Sequence, residues 1–460
     1  MFELQDGRTE LLEKIEALFE RKRYAELRDL LEPMEAADIA ALCQDLEEKV
    51  PVVFRLLPKE LAAEVFVELD SDDQKVLIHS FSNTELKEVL EELYLDDAAD
   101  IVEEMPAGVV KRILRQCNPE MRKSINEILK YPEDSAGSIM TPEFVDLKAN
   151  MTVEDALKHI RRTGPDKETI NICYVIDERR HLIGLLTIRT LLLAAEDDVI
   201  GDIMERHLIA VRTLDDQEAV ARALGKYDFL ALPVVDKENR LVGIVTVDDA
   251  MDVLQEEVTE DIEKMAAILP SDKPYLKTGT LETYKARIPW LMLLMISATF
   301  TGQIIASFES ALAAATILTA YIPMLMDSGG NCGSQASVTV IRGLSLGEIT
   351  FSDFFRVLWK ELRVAVVCGV TLAVANFAKL MLVDRLLFGN PMVTTPVAAV
   401  ICGTLVCTVV CAKLVGCSLP LLAKRVGFDP AVMASPFITT IVDALSLLIY
   451  FRFASAILGL

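Results

Sequence analysis

The sequence predicts a multi-domain membrane protein: an all-α helical N-terminal domain, a duplicated α/β module, an acidic connecting helix and a five-helix transmembrane domain. Three observations carry that expectation. Charge divides the 460 residues sharply: residues 1–287 hold 62 of the 70 acids and 36 of the 46 bases, a net of −26, whereas residues 288–460 carry +2. The C-terminal part falls into apolar runs of about 20 residues, the length a helix needs to cross a bilayer core. The run Tyr174-Val-Ile-Asp177 with Leu182-Ile-Gly184-Leu-Leu-Thr187 recurs 59 residues later as Pro233-Val-Val-Asp236 with Leu241-Val-Gly243-Ile-Val-Thr246, which marks an internal duplication. An acidic excess this large argues against nucleic acid as a partner and in favour of cations. The first ten residues contain no apolar run that would serve as a signal peptide, so the acidic half is expected in the cytoplasm. Nine cysteines include no CxxC pair, which makes zinc and a disulfide framework unexpected.

Residues 1–133 read as a helical cytoplasmic domain: leucines recur at three- and four-residue spacing, punctuated by Pro33, Pro58 and Pro106. Asp96 and Asp100 are i and i+4, two like charges on one face, unfavourable unless a cation bridges them. Residues 134–199 and 200–247 are the two copies of a βαββα unit, with helices expected near Thr152–Arg162 and Gln217–Tyr227. Their pattern resembles a tandem pair of cystathionine β-synthase (CBS) domains, modules that sense small ligands. The family's nucleotide-contacting Gly-h-h-Thr-x-x-Asp pattern falls on Gly243, Thr246 and Asp249; in the first copy Thr190 stands where the acid would be. The resemblance implies ATP or another adenosine nucleotide at the second copy.

Residues 248–287 form the connecting segment. Between Val247 and Leu269 eight acids face Lys264 alone. Asp249, Asp252, Glu256, Glu260 and Glu263 share one helical stripe, either a solvated face or one whose self-repulsion divalent cations relieve. Lys273, Lys277, Lys285 and Arg287 then supply the basic flank of a cytoplasmic membrane face.

Residues 288–460 yield five spans, near 288–308, 312–341, 361–383, 393–418 and 431–457, which place the C-terminus outside. The second carries one formal charge, Asp327, and an expected interruption at Gly329, Gly330, Asn331, Gly333 and Gln335, where backbone and amide oxygens suit a cation; close packing through small residues is the other reading of the glycines. In the fifth, Ser435, Thr439, Asp443, Ser446 and Tyr450 form a polar stripe. An intramembrane carboxylate is costly and marks a functional site.

The glycine- and amide-rich second span, the fifth span with Pro436 and Asp443, and the order helical domain, CBS pair, acidic helix and five spans look like an MgtE-type magnesium transporter. That resemblance implies a homodimeric, Mg²⁺-selective channel-like transporter of the cytoplasmic membrane, multi-pass, with the second and fifth spans lining a pore between subunits. Its pore acid falls on Asp443, with Asn331, Gln335, Gly329, Gly330 and Thr439 beside it. Its cytosolic Mg²⁺ sites fall on Asp96, Asp100, Asp228, Asp249, Asp252, Glu257, Glu260 and Asp261. The chemistry agrees: Mg²⁺ keeps several waters, so its path presents carboxylate, amide and carbonyl oxygens to a hydrated ion, and two Asp443 side chains on a dimer axis balance one divalent charge. The alternative is a membrane-anchored CBS-type nucleotide or ion sensor without transport. An enzyme is not expected, because His79, His159, His181 and His207 all lie in the soluble half and no Ser-Lys set occurs within the spans.

Overall fold

A computed structural model describes residues 2–46, 49–271, 273, 275–433 and 435–459. The chain forms two compact units, residues 1–255 and 256–460.

Among the described residues the first unit opens with ten helices, from α1 (Phe2–Glu20) to α10 (Pro119–Ile128). From α5 (Lys59–Val67) through α6 (Ser71–Ser80), α7 (Asn83–Glu92), α8 (Leu95–Glu104) and α9 (Ala107–Gln116) to α10, the residue before each helix is Pro58, Asp70, Ser82, Tyr94, Pro106 and Asn118 in turn. The interval is 12 residues throughout. Each of these positions has extended backbone, and each follows a buried apolar residue: Leu57, Leu69, Phe81, Leu93, Met105 and Cys117. A short helix, an apolar anchor and a helix-starting residue therefore repeat as one unit. Alternate helices pack, α5 on α7, α7 on α9 and α8 on α10. Asp70, Ser82 and Asn118 accept hydrogen bonds from the third residue of their helices, which satisfies amides that a helix start leaves open. Tyr94 makes no such cap; the Leu95 amide instead donates to the Glu143 carboxylate at 3.0 Å. Helix α8 is thus capped from the repeat module, and a carboxylate at a helix N-terminus is favourable.

The duplicated module has two three-stranded sheets: β1 (Val145–Leu147), β2 (Ile172–Ile176) and β3 (Leu182–Thr187), then β4 (Val211–Arg212), β5 (Ala231–Val235) and β6 (Leu241–Thr246). In each, the first strand runs parallel and the third antiparallel to the middle one. With α11 (Val153–Thr163), α12 (Ile188–Leu193), α13 (Ile200–Ile203), α14 (Gln217–Tyr227) and α15 (Val247–Met265) this is the expected βαββα unit twice. Residues 135–141 belong to the sheet of the second copy: Thr141 bridges Ile244, Ser135 bridges Asp216 and Ala136 is buried in that core. Residues 204–205 return the exchange by lying on Gly184 and Leu185. A Cβ on Gly243 would stand 2.7 Å from Met140 Sδ; the glycine makes room for the crossing segment.

The second unit contains α16 (Thr280–Ser307), α17 (Glu309–Ala314), α18 (Ile322–Ser345), α19 (Phe354–Lys379), α20 (Thr395–Val426) and α21 (Ser435–Leu458). Helix α19 continues into a π-helical segment, Leu380–Leu387, so Asp384 lies in a helix and not in the outer connection assigned from sequence. Four helical stretches among the described residues are long and apolar enough to cross a membrane: 280–307, 351–387, 395–426 and 431–458. Helix α18 is not among them, because Asp327, Asn331, Gln335 and four serines dilute its apolar character. It is nonetheless packed firmly on α20 and α21.

The expected interruption of this helix is absent. Helix α18 runs unbroken through Gly329, Gly330 and Gly333, and the break comes earlier, at Ala315, whose φ of −138° and ψ of 71° leave the helical region. Each glycine disfavours a helix by about 1 kcal/mol relative to alanine, but close packing offsets this. A Cβ on Gly329 would stand 2.7 Å from Thr408 Cγ2 and 2.9 Å from Val442 Cγ1, and one on Gly416 of α20 would collide with the Gly333 carbonyl oxygen. Gly416→Ala is therefore expected to destabilise the membrane unit by about 1–3 kcal/mol. A lowered thermal transition in detergent checks this, and an unchanged transition contradicts it.

Candidate functional site

In the membrane unit the side of α18 away from its packing partners is open. Pro323, Asp327, Asn331, Gln335 and Thr339 are exposed at four-residue intervals and Arg342 extends the stripe, so polar groups face one direction at a depth where neighbouring helices are apolar. Asn331 Nδ2 donates to Asp327 Oδ1 at 3.2 Å, and Thr339 Oγ1 donates to the Gln335 carbonyl at 2.8 Å. Asp443 is half-buried on the neighbouring α21.

The stripe expected on α21 is largely used up within the bundle. Ser446 is buried and donates to the Val442 carbonyl at 2.6 Å, and Tyr450 is buried and donates to the Leu318 carbonyl at 3.0 Å. Thr439 donates to the Pro436 carbonyl at 2.9 Å, and its methyl would meet a Cβ on Gly330 at 2.9 Å. Thr439, Gly329 and Gly330 thus meet at the contact between α18 and α21 and let the two helices approach closely. The side chain of Ser435 lies outside the described residues.

Two further devices fix α18. At its start, Tyr321 donates to Asp384 Oδ2 at 2.9 Å, and Lys379 bonds the same oxygen at 3.0 Å. Behind it, Lys413 of α20 and Glu361 of α19 form a buried ion pair at 3.7 Å. Neither was singled out in the sequence, because their partners lie on different helices.

The C-terminal end of α18 and the segment before α21 receive the second half of α15. Lys264 Nζ bridges Glu260 Oε1 at 2.5 Å and Asp429 Oδ2 at 2.7 Å, and Ser345, the last residue of α18, donates to Asp261 Oδ2 at 3.1 Å. Met265 packs with Ile341 and Ala431. Glu260 and Asp261 therefore meet a lysine and a serine in this structure, whereas sequence assigned them to metal; Glu257 is half-buried on the same helix.

In the first unit, Asp96 is 6% exposed and its Oδ1 has no partner; Glu168 Oε2 is likewise buried without one. Burial, then the charge of Asp249, pushes Asp96 well above the usual carboxylate range, Asp97 up to about 7 and Glu168 up to about 8. Asp100 keeps an exposed edge, but crowding by surrounding protein and the charge of Asp249 raise it too. Asp249 accepts a hydrogen bond from Thr246 and is itself raised by burial. In the first copy Thr187 and Thr190 pair at 2.9 Å in the matching place. Asp97 and Glu168 were not foreseen; Glu168 lies in a loop without motif character. Asp252 is exposed on α15, and Asp228 is exposed elsewhere, in the left-handed conformation (φ 54°) that ends α14. Among the described residues no three His, Cys, Asp or Glu side chains stand close enough to hold a metal ion, so the acids gather within electrostatic reach without forming a cage.

Comparisons with known proteins cover every region. Residues 322–453 match the MgtE family of divalent cation transporters, residues 34–134 the MgtE intracellular N domain, and residues 136–197 and 200–256 the CBS domain. The chain is 40% identical over 437 residues to the magnesium transporter MgtE of Thermus thermophilus, covering 94% of this chain and 95% of that protein. The chain belongs to the MgtE family. A second MgtE, from Bacillus subtilis, is 32% identical over 448 residues and 97% of each chain. Among solved structures, the cytosolic domain of the Mg²⁺ channel MgtE in complex with ATP aligns with a TM-score of 0.51 at 41% identity, covering 53% of this chain and 99% of that one. The soluble part of a magnesium transporter aligns with the same score at 32% identity, over 54% and 99%. Membership of the MgtE family makes the chain a membrane transporter and not an enzyme.

Proposed function

We propose that the chain is a Mg²⁺-selective, channel-like transporter that admits magnesium across the cytoplasmic membrane and is closed by Mg²⁺ acting on its soluble unit. The observation that carries the reading is the half-buried Asp443 on α21, which packs against α18 with its open polar stripe. The names of the MgtE relatives support Mg²⁺ as the ion. The protein works as a homodimer in lipid, with five spans, a cytoplasmic N-terminus, an external C-terminus and a path between the two copies of α18 and α21. The two Asp443 carboxylates balance one divalent ion, while Asn331 and Gln335 bond to its water shell, since Mg²⁺ dehydrates reluctantly.

Regulation uses the second set of acids. Asp96, Asp97, Asp100, Glu168 and Asp249 repel one another, and Asp96 and Glu168 hold unpartnered oxygens. A hydrated Mg²⁺ fits this donor set without a tight cage: oxygen donors only, excess negative charge and room for bridging water. Asp228, Asp252, Glu257, Glu260 and Asp261 supply further charge. Binding biases the closed state only if the ion prefers it to the open one. The continuous α15 carries that bias from Asp249 to the contacts of Glu260, Asp261 and Lys264 at the inner ends of α18 and α21. ATP or another adenosine nucleotide binds near Gly243, Thr246 and Asp249, a reading supported by the ATP complex of the related cytosolic domain.

Purified protein in liposomes is expected to give Mg²⁺ entry down its gradient, read by an entrapped Mg²⁺ dye; vesicles that stay at the protein-free rate would reject transport in favour of a sensor. Asn331→Ala and Gln335→Ala are expected to lower the rate by less than about tenfold, because neutral oxygens tune a path without supplying its charge. Losses as large as that of an Asp443 variant would contradict this ranking.

A further inference from the structure

We propose that Asp327 is a second carboxylate of the ion path and sets its preference for divalent over monovalent cations. The inference rests on the pore reading above and adds to it a residue on the other helix.

Asp327 lies on the exposed stripe of α18, in line with Asn331 and Gln335. The opposite side of that helix is filled by α20 and α21. A carboxylate on such a face would meet hydrocarbon unless the face borders water, and ionised groups avoid hydrocarbon. The side chain that hydrogen-bonds it is the neutral amide of Asn331. Its charge is thus held in place and left for something mobile to balance.

Packing fixes its level. A Cβ on Gly333 would meet Ile438 Cγ2 at 2.8 Å, one on Gly330 would meet Thr439 Cγ2 at 2.9 Å, and one on Gly329 would meet Val442 Cγ1 at 2.9 Å and Ser446 Oγ at 3.0 Å. Numbers on α18 fall as those on α21 rise, so the helices are antiparallel. Starting from the Gly330–Thr439 contact, Asp327 is three residues back and Asp443 four residues on, which moves both about one turn the same way along the bundle. The two carboxylates accordingly stand at one level of the bundle. Like charges at one level of an ion path are unfavourable without a cation. In the dimer, four carboxylates at one level favour two charges on one ion over a single charge, because monovalent ions offset less of the field at the same site.

The test measures initial Mg²⁺ flux against Mg²⁺ concentration, and K⁺ flux without Mg²⁺, in liposomes holding wild type, Asp327→Asn, Asp327→Ser, Asp327→Glu or Asp443→Asn. Asp327→Asn and Asp327→Ser are expected to raise the half-saturating Mg²⁺ concentration by about tenfold, with a smaller fall in maximal rate, and to raise K⁺ flux relative to Mg²⁺. Asp327→Glu should restore both quantities. Wild-type half-saturation and ion ratio in Asp327→Asn, equal damage from Asp327→Glu, or failure of all three variants to assemble would overturn the proposal. Wild-type flux in Asp443→Asn would instead overturn the pore reading itself.

Discussion

Asp443→Asn is expected to reduce Mg²⁺ entry by roughly a hundredfold or more while the protein still inserts and assembles. The substitution keeps size and one oxygen and removes only charge. At an effective dielectric of about 20, a unit charge about 4 Å from an ion is worth about 4 kcal/mol, and no other effect proposed in the path is as large. Asp443 is half-buried and the hydroxyls along its own helix are occupied within the bundle, so no neighbour on α21 replaces it. Initial rates in liposomes, normalised to dimer recovered on size exclusion, check the outcome. A rate within threefold of wild type would remove Asp443 from the path.

The second large effect concerns inhibition. Asp96→Asn combined with Glu168→Gln is expected to raise the Mg²⁺ concentration that half-closes transport by about fivefold or more, the usual range of a coupling between sites. These two residues hold the buried oxygens without partners, so the ion gains most from them. Neutralising them also removes repulsion, which by itself favours a compact soluble unit; the shift in Mg²⁺ sensitivity, not the basal rate, is therefore the quantity to read. Protease protection of residues 1–255 during a Mg²⁺ titration gives it directly. Asp29→Asn, at an exposed position far from the cluster in sequence, serves as the control. Identical titrations for the double variant and the control would dismiss Asp96 and Glu168 as sensors.

Much of this was legible from the residues. The duplication at 177 and 236 predicted two βαββα units because strand pairs with a tight turn repeat as a fixed pattern, and the structure has both sheets in that order. Tertiary reach defeated the same reasoning elsewhere. The exchange of residues 135–141 and 204–205 between copies leaves no local trace beyond Gly184 and Gly243, whose missing Cβ atoms admit Met204 and Met140. The glycines of α18 looked like a break because glycine weakens a helix, yet Thr408, Ile438 and Val442 supply the packing that overrides propensity. The polar stripe was assigned to α21 from spacing alone, whereas Ser446 and Tyr450 bond inward and the open stripe belongs to α18. The 12-residue recurrence from Pro58 to Asn118 was readable as an apolar residue followed by proline, Asp, Ser, Tyr or Asn, but three of its six steps, Pro58, Tyr94 and Pro106, lack a capping side chain and no residue type repeats throughout. Glu168 joins the acids only because its loop folds towards α8 and Asp249.

That one ion, Mg²⁺, is both carried and sensed is the proposal at the centre of the mechanism. Its most direct test is Mg²⁺ flux through oriented vesicles while Mg²⁺ is stepped on the side bearing the soluble unit. The expected result is rapid flux at low Mg²⁺ on that side and a steep fall as it rises, with the fall shifted to higher Mg²⁺ in Asp96→Asn combined with Glu168→Gln. Flux that is absent at every concentration, or that persists unchanged as Mg²⁺ on that side increases, would contradict it.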